Sequence, residues 1–156
     1  MLSWKKILCP VDFSETSHAA LHVAVDLATK IGASIELLNV VALPAATVPE
    51  IPVPGAEVVG AIVAGSRQSL DAWKREAEQL GAPAVDTVQA LGTTAESILG
   101  RAHTTECGVI VMGTHGRGFI KRAILGSVAE QVLRRSPCPV IAVGPEAAAR
   151  EERKAS

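Results

Sequence analysis

The segment Gly113-Thr114-His115-Gly116-Arg117-Gly118, followed by Gly126-Ser127, has the residue types of a phosphate cradle. Glycine lets backbone amides approach an anion closely and permits positive-φ turns. A helix opening at Ser127 adds unpaired amides and a favourable dipole. From His115 to Arg135 the cations Arg117, Lys121, Arg122, Arg134 and Arg135 face a single acid, Glu130. A polyphosphate site accounts for glycines, helix start and charge together; a glycine-rich turn beside an ordinary solvated cationic face accounts for them separately. Ser127 either caps its helix or touches phosphate, and the two roles are compatible. Asp12, closing the apolar run Ile7-Leu8-Cys9-Pro10-Val11, suits a ribose hydroxyl or an adenine amino group, or else a turn through Asp12-Phe13-Ser14.

Other chemistries find little support. The Gly-Lys-Ser or Gly-Lys-Thr tripeptide of a P-loop is absent, and Pro10-Val11-Asp12-Phe13-Ser14-Glu15 stands where a dinucleotide-binding unit carries its glycines. No HExxH, closely spaced cysteine pair or carboxylate cluster points to zinc or another structural metal. His18 and His22 are four apart on a helix and could chelate a metal adventitiously, but they read first as its solvent edge, so no metal-binding residue is expected. Cys9 and Cys107 read as buried thiols without chemistry.

The elements that must position these residues are legible as alternating strands and helices. Ile7–Val11 is too short and apolar for a globular helix. From Ser14 to Lys30, Ala20, Ala24, Leu27 and Ile31 recur at helical spacing, with Gly32 as the stop. Ile35–Val41 is a second strand. Leu43 to Gly55, with Pro44, Pro49, Pro52 and Pro54, is a loop. Helical spacing resumes from about Val58 to Leu80, ended by Gly81 and Pro83. Val85–Ala90 is a third strand, and Thr93 with Glu96 forms a capping box opening a helix that turns Ile98, Leu99 and Ala102 inward. Val109–Met112 is a strand buried on both faces. Ser127 with Glu130 forms a second capping box, its helix ending near Arg134-Arg135-Ser136-Pro137, and Val140–Val143 is a fifth strand. Such alternation means crossover connections and a mostly parallel sheet covered on both sides. Ligands of such sheets bind beyond the carboxyl ends of the strands, which singles out Asp12, Val40-Val41 and the residues after Met112.

A length of 156 residues suits one domain, placed at 1–145, with 146–156 as a charged, alanine-rich tail that has little to bury. With 48% apolar residues but only two Phe, two Trp and no Tyr, the core must be Val, Leu, Ile and Ala. A formal charge of -1 excludes a globally basic, sequence-independent nucleic-acid binder, and no nucleic acid is expected as a partner. No apolar run reaches the ~20 residues of a membrane span, and the first residues lack a secretion signal's apolar region, so a soluble, cytoplasmic protein without a membrane partner is expected. Three scattered cysteines make a disulfide framework an unsuitable description.

The chain resembles the universal stress protein family. Lys6-Ile7-Leu8-Cys9-Pro10-Val11-Asp12-Phe13-Ser14 is similar to that family's first strand and turn, and Ser136-Pro137-Cys138-Pro139-Val140 to its approach to the last strand. The nucleotide-binding branch carries glycine, two residues, glycine, nine residues, glycine and serine or threonine, matched here by Gly113, Gly116, Gly126 and Ser127. The resemblance runs from about Lys5 to Gly144. It implies an open five-stranded parallel sheet of order 3-2-1-4-5 with helices on both faces, Rossmann-like and adenine nucleotide alpha hydrolase-like. It also implies an ATP-binding stress-response or signalling protein that keeps its ligand, with Mg2+ or Mn2+ held mainly by the phosphates. By position, Pro10, Val11, Asp12 and Val40 match the adenosine pocket, with Met112 and Gly113 beside the ribose. Gly116, Gly126 and Ser127 match the phosphate contacts, with His115, Arg117 and Val128 as neighbours. A homodimer pairing through residues 140–143 is likewise implied.

Hydrolysis needs an oriented water and charge around the transferring phosphoryl group. Arg117, Arg122 and magnesium supply charge, but no base is evident; His115 either orients water or simply bonds to backbone, so slow or absent ATPase activity is expected. The competing class is a nucleotide-free dimeric interaction or regulatory protein, resting on the apolar stretch Val58-Val59-Gly60-Ala61-Ile62-Val63 after the prolines. A flavin or other redox-cofactor binder shares the parallel architecture, but the glycine spacing is already accounted for by ATP.

Overall fold

The apolar runs pair into one sheet. In the computed structural model, which describes residues 4–42, 54–116 and 125–155, the strands are β1 (Lys6–Pro10), β2 (Ser34–Val41), β3 (Val85–Leu91), β4 (Val109–Gly113) and β5 (Val140–Val143). The sheet order is β3-β2-β1-β4-β5 and every pairing is parallel, with Ile7 opposite both Ile35 and Val109. The helices are α1 (Glu15–Ile31), α2 (Ala56–Gln79), α3 (Thr94–Thr104), α4 (Ser127–Arg135) and α5 (Pro145–Ala155).

Strand alternation divides the core in two. Ile7, Cys9, Ile35, Leu37, Val109 and Val111 face α1 and α2, whereas Leu8, Leu38, Ile110 and Met112 face α3 and α4. Helix α1 buries Ala19, Ala20, Ala24 and Ala28, and these small side chains let its backbone lie close to β1 and β4. Ser14 caps its start by accepting from the Ser17 amide, and Gly32 ends it with φ 68° while donating to Ala28. At the amino end of the sheet, Glu36 is 2% exposed and receives two hydrogen bonds from Arg101 of α3, at 2.6 and 2.8 Å. Burial pushes the Glu36 carboxyl up, but the Arg101 hydrogen bonds and charge, aided by Lys6, hold it below its ordinary value.

Two expectations, the capping boxes, need correction, and the tail, read from the sequence without secondary structure, gains a helix. The segment after Gly144 is helical: Ala147 and Ala148 amides bond to the Gly144 carbonyl, and Ala148 is buried in the α1-side core. Neither capping box forms. Thr93 stands at the start of α3 without a side-chain cap bond, and the Glu96 carboxylate, which would reach back to the Thr93 amide, turns instead to a two-pronged pair with Arg135 of α4. At α4 the cap position belongs to Gly126, so Ser127 is the first helical residue, and Glu130 pairs with Arg134. Residues 43–53 of the proline-rich loop lie outside the described residues.

Candidate functional site

Strands β1 and β4 are neighbours whose following helices, α1 and α4, pack on opposite faces. The crevice between their carboxyl ends is the switch point of the sheet. A cavity of about 490 Å³ opens there. Its walls take Pro10, Val11 and Asp12 from the end of β1, Val40 from β2, and Met112, Gly113, His115 and Gly116 from β4 and its loop. Gly126, Ser127 and Val128 close it from the start of α4. Every sequence-predicted site residue except Arg117 is thus on one wall or another; Arg117, like Lys121 and Arg122, lies outside the described residues. Ser17, Leu38, Thr94, Ile98, Thr114, Leu125 and Ala129 also line the cavity and were not singled out from the sequence. Helical and strand periodicity marked Leu38 and Ile98 as apolar, but only the crossovers show which end of each element meets the cavity.

Asp12 divides its two carboxylate oxygens between structure and cavity. Oδ1 accepts from the backbone N–H of Ser14 at 3.0 Å and from the Ser14 hydroxyl, an Asx turn that leads into α1. Its own amide donates to Ser17 Oγ at 3.3 Å. The turn passes through Phe13 at φ 63°, a left-handed conformation uncommon for a non-glycine residue. Oδ2 lies toward Gly116, 2.6 Å from where a Cβ on that residue would stand. Asp12 is the only carboxylate among the described lining residues.

The glycines of the motif are there for close approach. Positive φ occurs among the described glycines at Gly32, Gly81 and Gly92, and not at Gly113, Gly116 or Gly126, so of the two uses expected of the motif's glycines these three serve close approach; Gly118 lies outside the described residues. A Cβ on Gly113 would sit 2.8 Å from Thr16 Oγ1 and 2.9 Å from the Thr16 carbonyl carbon. One on Gly126 would sit 2.9 Å from the Thr114 carbonyl oxygen, which accepts the Gly126 amide at 2.7 Å. The loop is stitched further where Thr16 Oγ1 donates to the His115 carbonyl, Thr114 Oγ1 meets His115 Nδ1 at 2.8 Å, and the Thr114 amide donates to Val143 at 2.9 Å. His115 is 8% exposed, an imidazole built into the wall.

At the start of α4 the first intrahelical bond is Glu130 N–H to Gly126, and Gly126 has no side chain to cap with. The amides of Ser127, Val128 and Ala129 therefore have no intrahelical acceptor, and all three residues line the cavity. The cationic stretch divides differently from the expectation. Arg134 and Arg135 occupy the last turn of α4, where they suit the negative end of its dipole. They pair with Glu130 and Glu96, about 10–12 Å along the helix from Ser127.

Two groupings elsewhere escaped the sequence because their members are far apart in it. Cys107 and Cys138 bring their Sγ atoms to 3.4 Å near the amino ends of β4 and β5. His18 and His22 of α1 both reach Glu76 of α2.

Comparison with known proteins agrees with this architecture. A solved universal stress protein, UspA of Lactobacillus plantarum, superposes with a TM-score of 0.81 at 28% identity, over 90% of this chain and 97% of that one. The universal stress protein MJ0531 of Methanocaldococcus jannaschii is 32% identical over 146 residues, 90% of this chain and 82% of its own. A more distant universal stress protein, solved in complex with cAMP, shares the fold with a TM-score of 0.68 at 22% identity, over 89% of this chain and 96% of that one. The profile of the universal stress protein family matches residues 3–144, and the chain belongs to that family.

Proposed function

We propose that the chain binds an adenine nucleotide, ATP foremost, in the cavity between β1 and β4, and acts as a dimeric stress-response or signalling protein with slow or no ATP hydrolysis. The start of α4 carries this reading. Ser14 caps α1 with its side chain, whereas among the described residues no side chain caps the first three amides of α4, whose residues line the cavity. Amides without an intrahelical acceptor at the positive end of a helix dipole match phosphate oxygens. The cavity volume lies within the range of small-ligand sites. Val11, Leu38, Val40 and Met112 offer an apolar wall for a flat base, and Asp12 Oδ2 offers an acceptor for a ribose hydroxyl or an amino group. Gly116, Gly126 and Ser127 then face the phosphates. With one carboxylate on the described walls, a magnesium or manganese ion is held mainly by the phosphates. The cAMP bound by a protein of the same fold supports the adenine-nucleotide class. His115, engaged through Nδ1 and its carbonyl, is a positioned wall residue, which supports slow or absent hydrolysis.

Protein purified without added nucleotide, heat-denatured and chromatographed, is expected to release near-equimolar ATP or AMP. Protein that releases none and gives no calorimetric heat with ATP and magnesium refutes the reading.

The homodimer rests on β5, an edge of the sheet, where Ala142 is exposed and Val140 and Ile141 are only partly covered. An apolar edge invites pairing with the same strand of a second copy. Sedimentation at micromolar concentration is expected to give twice the chain mass, and a persistent monomer refutes it. A cytoplasmic location is part of the same proposal; no helix among the described residues is long and apolar enough to cross a membrane. The nucleotide-free interaction protein draws on one observation, the 53% and 47% exposure of Val58 and Ile62 on α2, and the release experiment separates the two.

A further inference from the structure

On the face of the sheet opposite α3 and α4, α1 and α2 meet through a polar cluster that the nucleotide site does not use. His18 and His22 lie one turn apart on α1, so both imidazoles share a face. Across the gap stands Glu76 of α2. His18 Nε2 lies 2.8 Å and His22 Nε2 3.0 Å from the same oxygen, Glu76 Oε1, and the two rings are 4.8 Å apart between centroids. The three prospective ligand atoms all lie within 4.8 Å of one another. Trp73 fixes one side, its ring edge-on to His18 at 5.1 Å and backed by Phe13 at 5.2 Å.

We propose that His18, His22 and Glu76 form a binding site for one divalent transition-metal ion of the nickel, copper or zinc class, clamping α1 to α2. Two imidazole nitrogens and one carboxylate oxygen make three protein ligands, a set that leaves a further position for water. In a tetrahedral zinc site with bonds of about 2.0–2.1 Å the ligand atoms stand about 3.4 Å apart, so the two His–Glu76 separations need to open by roughly 0.4–0.6 Å and the two Nε2 atoms, within 4.8 Å of each other, to close by at most about 1.4 Å. A carboxylate oxygen can only accept, so both imidazoles direct Nε2–H at one atom in the metal-free arrangement. On metal binding each Nε2 gives up its proton, to Nδ1 by way of solvent where Nδ1 is bare and to solvent otherwise, and its freed lone pair turns to the ion. The side chains of His18, His22 and Glu76 are 42%, 25% and 34% exposed, which gives the ion an entry path and room for its water. Nitrogen-rich ligation separates this site from the magnesium that accompanies nucleotide phosphates, because Mg2+ demands six oxygens in near-ideal octahedral array.

The test uses the full-length, nucleotide-free protein without an affinity tag, titrated with Zn2+ against a chromophoric chelator. One ion per chain is expected. Free Zn2+ at about a hundred times its Kd is expected to raise Tm by about 5 °C or more. Trp73 fluorescence is expected to be quenched by Cu2+. His22→Ala and Glu76→Gln are each expected to weaken Zn2+ by about 100-fold and to cut the Tm rise at the same free Zn2+ to about 1–2 °C, since two ligands remain. His103→Ala, on α3, is expected to change nothing. Absence of zinc uptake by the unmodified protein overturns the proposal, as does unchanged affinity in His22→Ala. Should circular dichroism show His22→Ala unfolded, the near-isosteric Glu76→Gln decides by the same criterion. Equal affinity for Mg2+ also overturns it.

Discussion

Alanine at each glycine of the cavity loop asks three different things of the structure. At Gly113 the new Cβ meets Thr16 Oγ1 at 2.8 Å, the Thr16 carbonyl carbon at 2.9 Å and the Ser17 amide at 3.0 Å. Two of those atoms are main chain in the first turn of α1, so relief requires that turn to lift from β4. Overpacking of this kind costs about 2–3 kcal/mol, of which a less flexible unfolded chain returns about 0.4–1. A net loss of about 2 kcal/mol lowers Tm by about 4–8 °C for a chain of this size. At Gly126 the Cβ meets one backbone atom, the Thr114 oxygen at 2.9 Å, and strains the bond that the oxygen accepts from Gly126 itself. Losing that bond costs about 1 kcal/mol. At Gly116 the Cβ meets only Asp12 Oδ2, at 2.6 Å. The carboxylate can swing, loosening one bond to Ser14 at about 1 kcal/mol, which the stiffer unfolded chain nearly offsets. The swing removes an acceptor from the cavity, so nucleoside affinity falls about tenfold or more. Thermal denaturation by circular dichroism and calorimetry with ATP and with adenosine measure both. The expected stability order is Gly113→Ala lowest, then Gly126→Ala, then Gly116→Ala near the parent. A Gly116→Ala protein as destabilised as Gly113→Ala, with parental affinity, would refute the reasoning.

Asp12→Asn keeps the shape of the Asx turn and removes the charge, so ATP and adenosine are both expected to bind about 10- to 100-fold more weakly by calorimetry; a loss confined to ATP places Asp12 beside phosphate or metal instead. Arg101→Met leaves Glu36 buried with only Lys6 at 3.7 Å, and is expected to cost about 2–3 kcal/mol, the partial exposure of Arg101 discounting a fully buried pair. Because the folded Glu36 carboxyl sits below its ordinary value, the pair's contribution is present above the unfolded pKa of about 4.3 and is lost as pH falls through the folded one. Urea midpoints of parent and variant should therefore converge between pH 7 and pH 3; a constant gap contradicts the assignment. Cys9 is pushed up to about 12 by burial, and Cys107 likewise by burial and by the Cys138 thiol. Iodoacetamide at pH 8 should therefore spare both in the folded protein by mass spectrometry, and labelling of Cys9 at the unfolded rate would sink the claim.

What was legible in the sequence and what was not divides along the range of the forces involved. Strands β1 and β4 were readable because a strand buried on both faces leaves a bare apolar run, and β2 and β5 because short, mostly apolar runs stand between breaks at Gly32, Pro44, Pro139 and Gly144. The end of α1 was readable because Gly32 supplies a local left-handed turn. The capping boxes failed for the opposite reason. Thr93 and Glu96 have the right spacing, but the Arg135 guanidinium, 39 residues away, outbids a backbone amide for the Glu96 carboxylate. Helix α5 escaped because Ala148 is its one buried position among those described, too sparse to register as periodicity. The pairing of Glu76 with His18 and His22 spans more than 50 residues and depends on two helices packing on one sheet face.

The glycine pattern shows how a correct location can rest on an incomplete reason. Conformational freedom is what glycine offers in isolation, yet Gly113, Gly116 and Gly126 keep ordinary dihedrals and are needed because something stands where a Cβ would go. For Gly113 and Gly126 that something is protein backbone, which would demand glycine whether or not a ligand entered. Only Gly116, whose obstacle is the cavity carboxylate itself, ties the motif to recognition. The spacing of the pattern therefore encodes how α1, the β4 loop and α4 are drawn together to shape a cavity, and the uncapped amides of α4 carry the chemical claim on phosphate. A chain could keep Gly113 and Gly126 for packing and still lose the nucleotide through Asp12 or the α4 amides, so a family member's ligand is better judged from those groups than from the glycines alone.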